Sequence, residues 1–340
     1  MSDQRRLVLV VGVGRSGTSL LAGILGQVGF HIPQPEVQAD DTNPRGFGEP
    51  RWAVDFHRRL MSKVRVTVFD SRPAAWEATT KAGDEPATRG ELRGWLGEQL
   101  AQADAVVVKD PRIGWFLPLW QSSAAELGVP TSFVTMLRHP AEILASAKRS
   151  YGDWQTDASR AASWINEMLE IERGTRGSRR VFVRYQDLLA DWRREAKRAG
   201  HEADLPLLRD LDRASFPQVD EFVDPTLHRN RGGWDGLQVP TRVSELADEV
   251  WVELNRLADP GADAAAVAAE LDRLSQAYAA MHAEAEAIAQ SAVTAVKPRK
   301  RKPAPAPPAR PASLRGRLAR RLPVRYRKRL RRALGSLSRS

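Results

Sequence analysis

Five consecutive apolar residues, Leu7–Val11, run directly into a glycine. The run is β-branched and does not alternate with polar positions, the pattern of a strand buried on both faces. Ser19–Val28 then places apolar residues at helical spacing. Strand, glycine turn and helix are the opening of a βαβ unit. Three more short apolar runs read as strands in the same way: Ala105–Val108, Thr131–Leu137 and Arg180–Tyr185. Helical patterns lie between them, including Ala141–Ser150 and Arg160–Arg173. The alternation predicts an α/β fold with a doubly wound parallel sheet, in which ligands bind at the C-terminal ends of the strands.

Beyond about residue 240 the pattern changes. Residues 259–296 are rich in Ala and Glu, and Ala264, Val267, Leu271, Leu274, Tyr278, Met281, Ala285, Ile288 and Ala292 recur by threes and fours. This is a heptad seam on one long helix. It has two candidate partners: the chain's own domain, or a second copy in a coiled-coil homodimer. The alanines at several seam positions favour the first. A Pro-rich basic linker follows at 297–312, then a basic tail at 313–340. In the tail, Leu314, Leu318, Leu322, Tyr326, Leu330 and Leu334 stand four apart among arginines, and Pro323 would split any helix there. The expected organisation is an α/β domain at 1–240, a helical extension at 241–296, the linker and the tail.

Charge sharpens this division. The chain carries +10 overall, but 17 of its 52 Lys/Arg and none of its 42 Asp/Glu lie after residue 296. The first 296 residues therefore hold 35 basic and 42 acidic side chains. The body is mildly acidic, and the tail alone makes the chain basic. A basic amphipathic tail fits an anionic membrane surface better than nucleic acid. There is no cysteine, which removes thiolate catalysis, disulfides and cysteine metal sites. The first residues lack the pattern of a secretory signal, and no run approaches the ~20 apolar residues that span a bilayer. A soluble cytoplasmic protein is expected, docked peripherally at the inner face of the plasma membrane by its tail.

The candidate chemistry begins at "GVGRSGTS". Gly12 and Gly17 have the spacing of a nucleotide phosphate loop, but Thr18 occupies the position of the usual lysine. A positive charge comes earlier, as Arg15. The amides of Gly14, Arg15, Ser16, Gly17 and Thr18, with the helix N-terminus, make an anion cradle. Thr18 and Ser19 add hydroxyls, and Arg15 a bidentate fork. This suits a terminal phosphate beside one reacting group better than a Mg²⁺-bound triphosphate. A second constellation, "LRHPAEILAS", follows the third strand. Arg138 ends that strand, and Ser146 lies eight residues on, within about two turns of a helix starting near Pro140.

Together, "GVGRSGTSLL" and "LRHPAEILAS" resemble the two donor-binding motifs of the PAPS-dependent sulfotransferases, bacterial members with a P-loop-like fold. The resemblance covers about residues 5–240. It implies PAPS as sulfuryl donor and no metal, with the loop holding the 5′-phosphosulfate and Arg138 and Ser146 the 3′-phosphate. "VFVRYQDLLAD" is similar to a family strand end, with Gln186 where an acid is common, and it places Tyr185 near the adenine. "HRNRGGWDG" resembles the later basic glycine loop and makes Arg229 and Arg231 further 3′-phosphate candidates, although it departs from the family's Arg-Lys-Gly.

An acceptor hydroxyl must lose a proton, so a base is expected. Glu49, in "DTNPRGFGEP", resembles a bacterial segment just before the acceptor site. Glu36 stands 21 residues after Arg15, a spacing similar to that of tyrosylprotein members. His57 is a weaker third choice and reads as a helix-surface residue. Arg15 is the candidate for stabilising the leaving 5′-phosphate. Lys109 and Asp110 follow the second strand; Lys109 is a candidate for charge at the bridging oxygen and Asp110 for orienting it. Trp115 and Trp120 are open between stacking on a sugar face and core packing. The expected activity is sulfuryl transfer from PAPS to a hydroxyl, with a glycan or glycolipid preferred. Two alternatives remain: a P-loop kinase in which Asp110 holds Mg²⁺, and a non-catalytic nucleotide-binding scaffold tethered by the tail.

Overall fold

Successive side chains of a strand point to opposite faces, so a strand apolar at every position must be covered on both. The first strand meets this condition in full: Leu7 to Val11 are all buried. A computed structural model describes residues 5–211, 215–224, 226 and 232–296. In chain order the elements are β1 (Arg6–Val11), α1 (Thr18–Gln27), α2 (Arg51–Val64), α3 (Ala75–Gly83), α4 (Pro86–Gln102) and β2 (Ala105–Lys109). A 3-10 turn (Pro111–Phe116) leads into α5 (Leu117–Glu126), followed by β3 (Thr131–Leu137), α6 (Pro140–Tyr151), α7 (Asp157–Thr175) and β4 (Arg179–Arg184). Then come α8 (Tyr185–Ala190), α9 (Trp192–Glu202), α10 (Pro206–Arg209), α11 (Pro217–Phe222), α12 (Thr241–Arg256) and α13 (Ala264–Val296).

The strands form one parallel sheet in the order β2-β1-β3-β4. Leu7, Leu9 and Val11 face one apolar layer, shared with α2, α4, α5 and α7. Val8 and Val10 face the other, built from α1, α8 and α9. The chain leaves β1 toward β2 on one side and adds β3 and β4 on the other. The reversal lies between β1 and β3, where an α/β sheet opens a crevice at its C-terminal edge. The loop after β1 and the turn after β3 flank that crevice.

The helical extension does not stand apart from this core. Leu246, Ala247, Val250 and Leu254 of α12 and Val267, Leu271, Leu274 and Tyr278 of α13 are buried in the first layer. The Tyr278 hydroxyl also donates to the Ser71 carbonyl. The extension up to Ala287 belongs to the same compact unit as the sheet. Over these positions the seam packs on its own domain, while Ala285, Ile288 and Ala292 are exposed. From Ile288 the chain is a second unit, whose described part, 288–296, is helix. The linker, the tail, Arg229 and Arg231 lie outside the described residues. Among the described residues no helix is long and apolar enough to cross a membrane.

Candidate active site

The loop after β1 turns through three left-handed residues: Gly12 (φ 132°), Arg15 (φ 74°) and Gly17 (φ 101°). Gly17 tolerates this because it has no Cβ, and a Cβ there would collide with the Tyr185 ring. Arg15 has no such excuse. A non-glycine residue in this region costs roughly 1–3 kcal/mol, and such strain collects at binding and catalytic sites. Helix α1 starts at Thr18 with no side-chain cap and no acid in its first turn. Its end carries the positive pole of the helix dipole and uncapped amides, which favour an anion. Ser16 is buried, and its Oγ has no partner among the described residues. A buried hydroxyl that the fold leaves without a partner is available to a bound polar group.

The second motif meets the first from across the crevice. Arg15 Nε donates to Ser146 Oγ at 3.2 Å, and both Arg15 terminal nitrogens approach the Thr42 carbonyl at 3.4 Å. Arg138 Nη1 donates to the Arg15 carbonyl at 3.1 Å, and its Nε to Glu142 Oε2 at 2.9 Å. The Arg138 guanidinium also lies over the Tyr185 ring, 4.5 Å from its centroid. Arg15, Gly17, Arg138, Ser146 and Tyr185 therefore share one edge of the sheet. A narrow cleft lined by Arg138, Glu142, Tyr185 and Gln186 opens beside them. The donor set offers two guanidiniums, hydroxyls and free helix amides, which fits a nucleotide with separated phosphates.

On the other flank, β2 ends at Lys109, level with Val10 of β1. Lys109 is 3% exposed and donates to Glu49 Oε1 at 2.5 Å and to Ser19 Oγ at 3.2 Å. Glu36 is held elsewhere, accepting from Gln34 Nε2 at 2.7 Å near the surface. Its backbone pairs with Pro50, so the two glutamates lie on neighbouring strands of one loop. Of the two glutamates, Glu49 is the one bonded to Lys109, which also reaches Ser19.

His57 corrects its sequence expectation: it is fully buried, not a surface residue. Trp120 Nε1 donates to His57 Nε2 at 3.0 Å, so Nε2 accepts and the proton sits on Nδ1. Nδ1 then donates to Asp110 Oδ2 at 2.7 Å. Arg112 binds the other oxygen, Oδ1, at 2.7 Å through its side chain and at 3.0 Å through its amide. Burial acts to raise the Asp110 carboxyl, but the His57 hydrogen bond and the Arg112 charge outweigh it and hold Asp110 well below the usual carboxylate range. With both oxygens engaged, Asp110 ties the end of β2 to the middle of α2, the helix that Glu49 precedes. Trp115 and Trp120 are core residues, with Trp115 stacked on Trp76 at 3.8 Å.

Sequence reasoning missed several residues here. His139 caps α6 by accepting from the Ala141 amide at 3.2 Å, and its Nε2 lies 3.3 Å from Asp248. Burial pushes His139 below the ordinary histidine value, against the pull of the Asp248 and Glu142 carboxylates. Trp234 donates to the same Asp248 and packs edge-on against His139. The segment that follows Arg231 is thereby anchored next to Arg138. His57 did carry a signal: Ala53, His57, Leu60 and Met61 fall on one helical face.

The sequence pattern of the sulfotransferase family matches residues 8–210 of the chain. Among solved structures, the chain is similar to the sulfotransferase domain of the Synechococcus PCC 7002 olefin synthase, at 18% identity over 74% of this chain and 96% of that one, with a TM-score of 0.44. A sulfotransferase domain of the curacin biosynthetic pathway is also similar, at 14% identity over 72% and 96%, with a TM-score of 0.40. No curated protein matches the chain.

Proposed function

Because the chain belongs to the sulfotransferase family, we propose that it moves a sulfuryl group from PAPS to an acceptor hydroxyl, on a glycan or glycolipid. The convergence of two motifs carries this reading: Arg15 reaches Ser146, and Arg138 reaches back to the Arg15 carbonyl. One side of this group then takes the 5′-phosphosulfate and the other the 3′-phosphate. In the transfer, the acceptor oxygen bonds to sulfur as the bond from sulfur to the 5′-phosphate oxygen breaks. The acceptor proton passes to the Glu49 carboxylate, and the charge that grows on the departing phosphate faces Arg15, the loop amides and Lys109. Lys109 holds Glu49 and Ser19 at fixed distance from each other, which orients the base toward the loop. Glu36 is the alternative base.

A P-loop kinase would need Asp110 as a metal ligand, and its oxygens are taken by His57 and Arg112. A non-catalytic scaffold would need neither a base nor Arg15 at the loop, and the chain carries Glu49 beside Lys109 as well as Arg15 there. The basic segment after residue 296 is proposed to hold the enzyme peripherally at an anionic membrane. The exposed seam positions Ala285, Ile288 and Ala292 are what a second copy would meet in a homodimer.

The experiment is a thermal melt with PAP against Mg·ATP. A ligand that binds only the native state raises the midpoint by mass action. PAP is expected to raise it more; a larger rise with Mg·ATP overturns the sulfotransferase mechanism in favour of the kinase.

A further inference from the structure

Three aromatic rings stand at the front of the loop, and none has a part in the donor site or the Glu49–Lys109 pair. Phe69 lies in the segment between α2 and α3, and its ring would touch a Cβ on Gly14 at 3.7 Å. Tyr151 closes α6, with the Arg15 guanidinium 5.9 Å from its ring centroid. Trp154 sits in the short link from α6 to α7. The Phe69 centroid is 6.1 Å from that of Tyr151 and 6.3 Å from that of Trp154, both tilted by 52°. Gln155 Nε2 donates to the Phe69 carbonyl at 3.0 Å and to Ser159 Oγ at 2.8 Å. That bond fixes the Phe69 segment to the α6–α7 link, so the three rings are held as a group.

Tyr151 is 41% exposed and Trp154 61%. Scattered exposed apolar side chains need no explanation, but two gathered with a third beside a strained arginine do. We infer that Phe69, Tyr151 and Trp154 form the acceptor subsite and take the C–H face of a sugar ring, so that one of its hydroxyls meets the sulfuryl group at Arg15. The inference rests on the sulfuryl-transfer reading above. A linear alcohol gains affinity by burying its chain in an enclosed apolar channel. These rings are tilted against one another and two of them are exposed, so they give little of that. A sugar ring instead lays one apolar face on an aromatic ring and keeps its polar edges in water. The group also stands at the loop itself, with Phe69 facing Gly14 and Tyr151 beside the Arg15 guanidinium.

The test uses the full chain, radiolabelled PAPS and a mixture of methyl glucoside, cellobiose, maltose and chitobiose, with 4-nitrophenol and 1-octanol offered separately. At least one sugar is expected to be sulfated. Trp154→Ala is expected to raise the KM for that sugar about tenfold or more, with Trp154→Tyr restoring most of the loss. Trp154 is exposed enough for both variants to fold, and the PAP melt checks that the donor site is intact. Sulfation of the phenol or octanol with the sugars untouched overturns the inference. So does a sugar KM that ignores both Trp154→Ala and Phe69→Ala. Binding of PAP with no sugar sulfated also overturns it and leaves the donor reading standing. No shift with PAP overturns the donor reading itself.

Discussion

On the proposed donor side of the loop, Arg15 meets Arg138 and Ser146, all drawn from two short motifs, and Gly17 meets Tyr185 from just past the end of β4. On the proposed acceptor side, Lys109 meets a glutamate 60 residues earlier in the chain, and Phe69, which faces Gly14, gathers Tyr151 and Trp154 from a distant segment. The difference follows from what each side is proposed to bind. A phosphate is held by backbone amides, a helix end and a strand-end arginine, which local sequence can specify by spacing alone. A base and an acceptor platform need side chains at set distances in space, and several loops of the same sheet edge can supply them. The donor side is therefore written compactly, and the acceptor side is assembled by the fold.

The sharpest way to break this comparison is at the base. Glu49→Gln is expected to lower kcat by ~10²–10⁴, with the PAP-induced rise in melting midpoint unchanged. Glu36→Gln is expected to leave kcat near the natural value. Steady-state kinetics of both variants decide it. If Glu36→Gln carries the loss, the base sits on the exposed strand of the loop, and the buried Lys109–Glu49 pair is structural.

A smaller effect tests the donor side. Arg138→Ala removes a guanidinium that touches the Arg15 carbonyl and overlies Tyr185. It is expected to lose ~2–3 kcal/mol of PAP affinity, as a charge-assisted phosphate contact would. Isothermal titration with PAP measures this directly. Unchanged affinity would move the 3′-phosphate away from the crevice between β1 and β3.

The limits of sequence reasoning follow the same line. β3 is found at the expected Thr131–Leu137, and the other three strands lie within a residue or two of their expected bounds. Runs buried on both faces are hard to mistake. The first part of the heptad seam, Val267 to Tyr278, was visible as a periodicity, but its partner was not, because a seam does not say which apolar layer it joins. The charges flanking His57 predict a surface residue, whereas its helical spacing with Ala53 and Leu60 points inward. The Lys109–Glu49 pair left no trace in spacing, since it depends on how the loop after α1 folds back to β2. Asp110 was legible as a strand-end acid, but its engagement by His57 and Arg112 was not.

The smallest expected effect concerns a group behind the acceptor side. Glu167 of α7 is fully buried, and neither of its side-chain oxygens has a partner among the described residues. Burial raises its carboxyl well above the ordinary glutamate value, repulsion from Asp110 raises it further, and Arg112 pulls the other way. A carboxyl whose folded value is raised stabilises the fold fully below its unfolded value, and that contribution is lost as pH rises through the folded value. Glutamine keeps the shape and never ionises. Glu167→Gln should therefore melt close to the natural chain near about pH 5 and increasingly above it toward about pH 8, by a few degrees, since an unsatisfied buried group costs on the order of 1–3 kcal/mol. Thermal melts across that range measure the gap. On the donor side, Ser146→Ala changes no titratable group, and its melting difference from the natural chain should stay level with pH. If the Glu167→Gln gap instead narrowed as pH rose, Glu167 would be ionised in the folded chain and held by Arg112. The guanidinium would then be shared between two carboxylates, and the tie from β2 to α2 through Asp110 would be weaker than its contacts indicate.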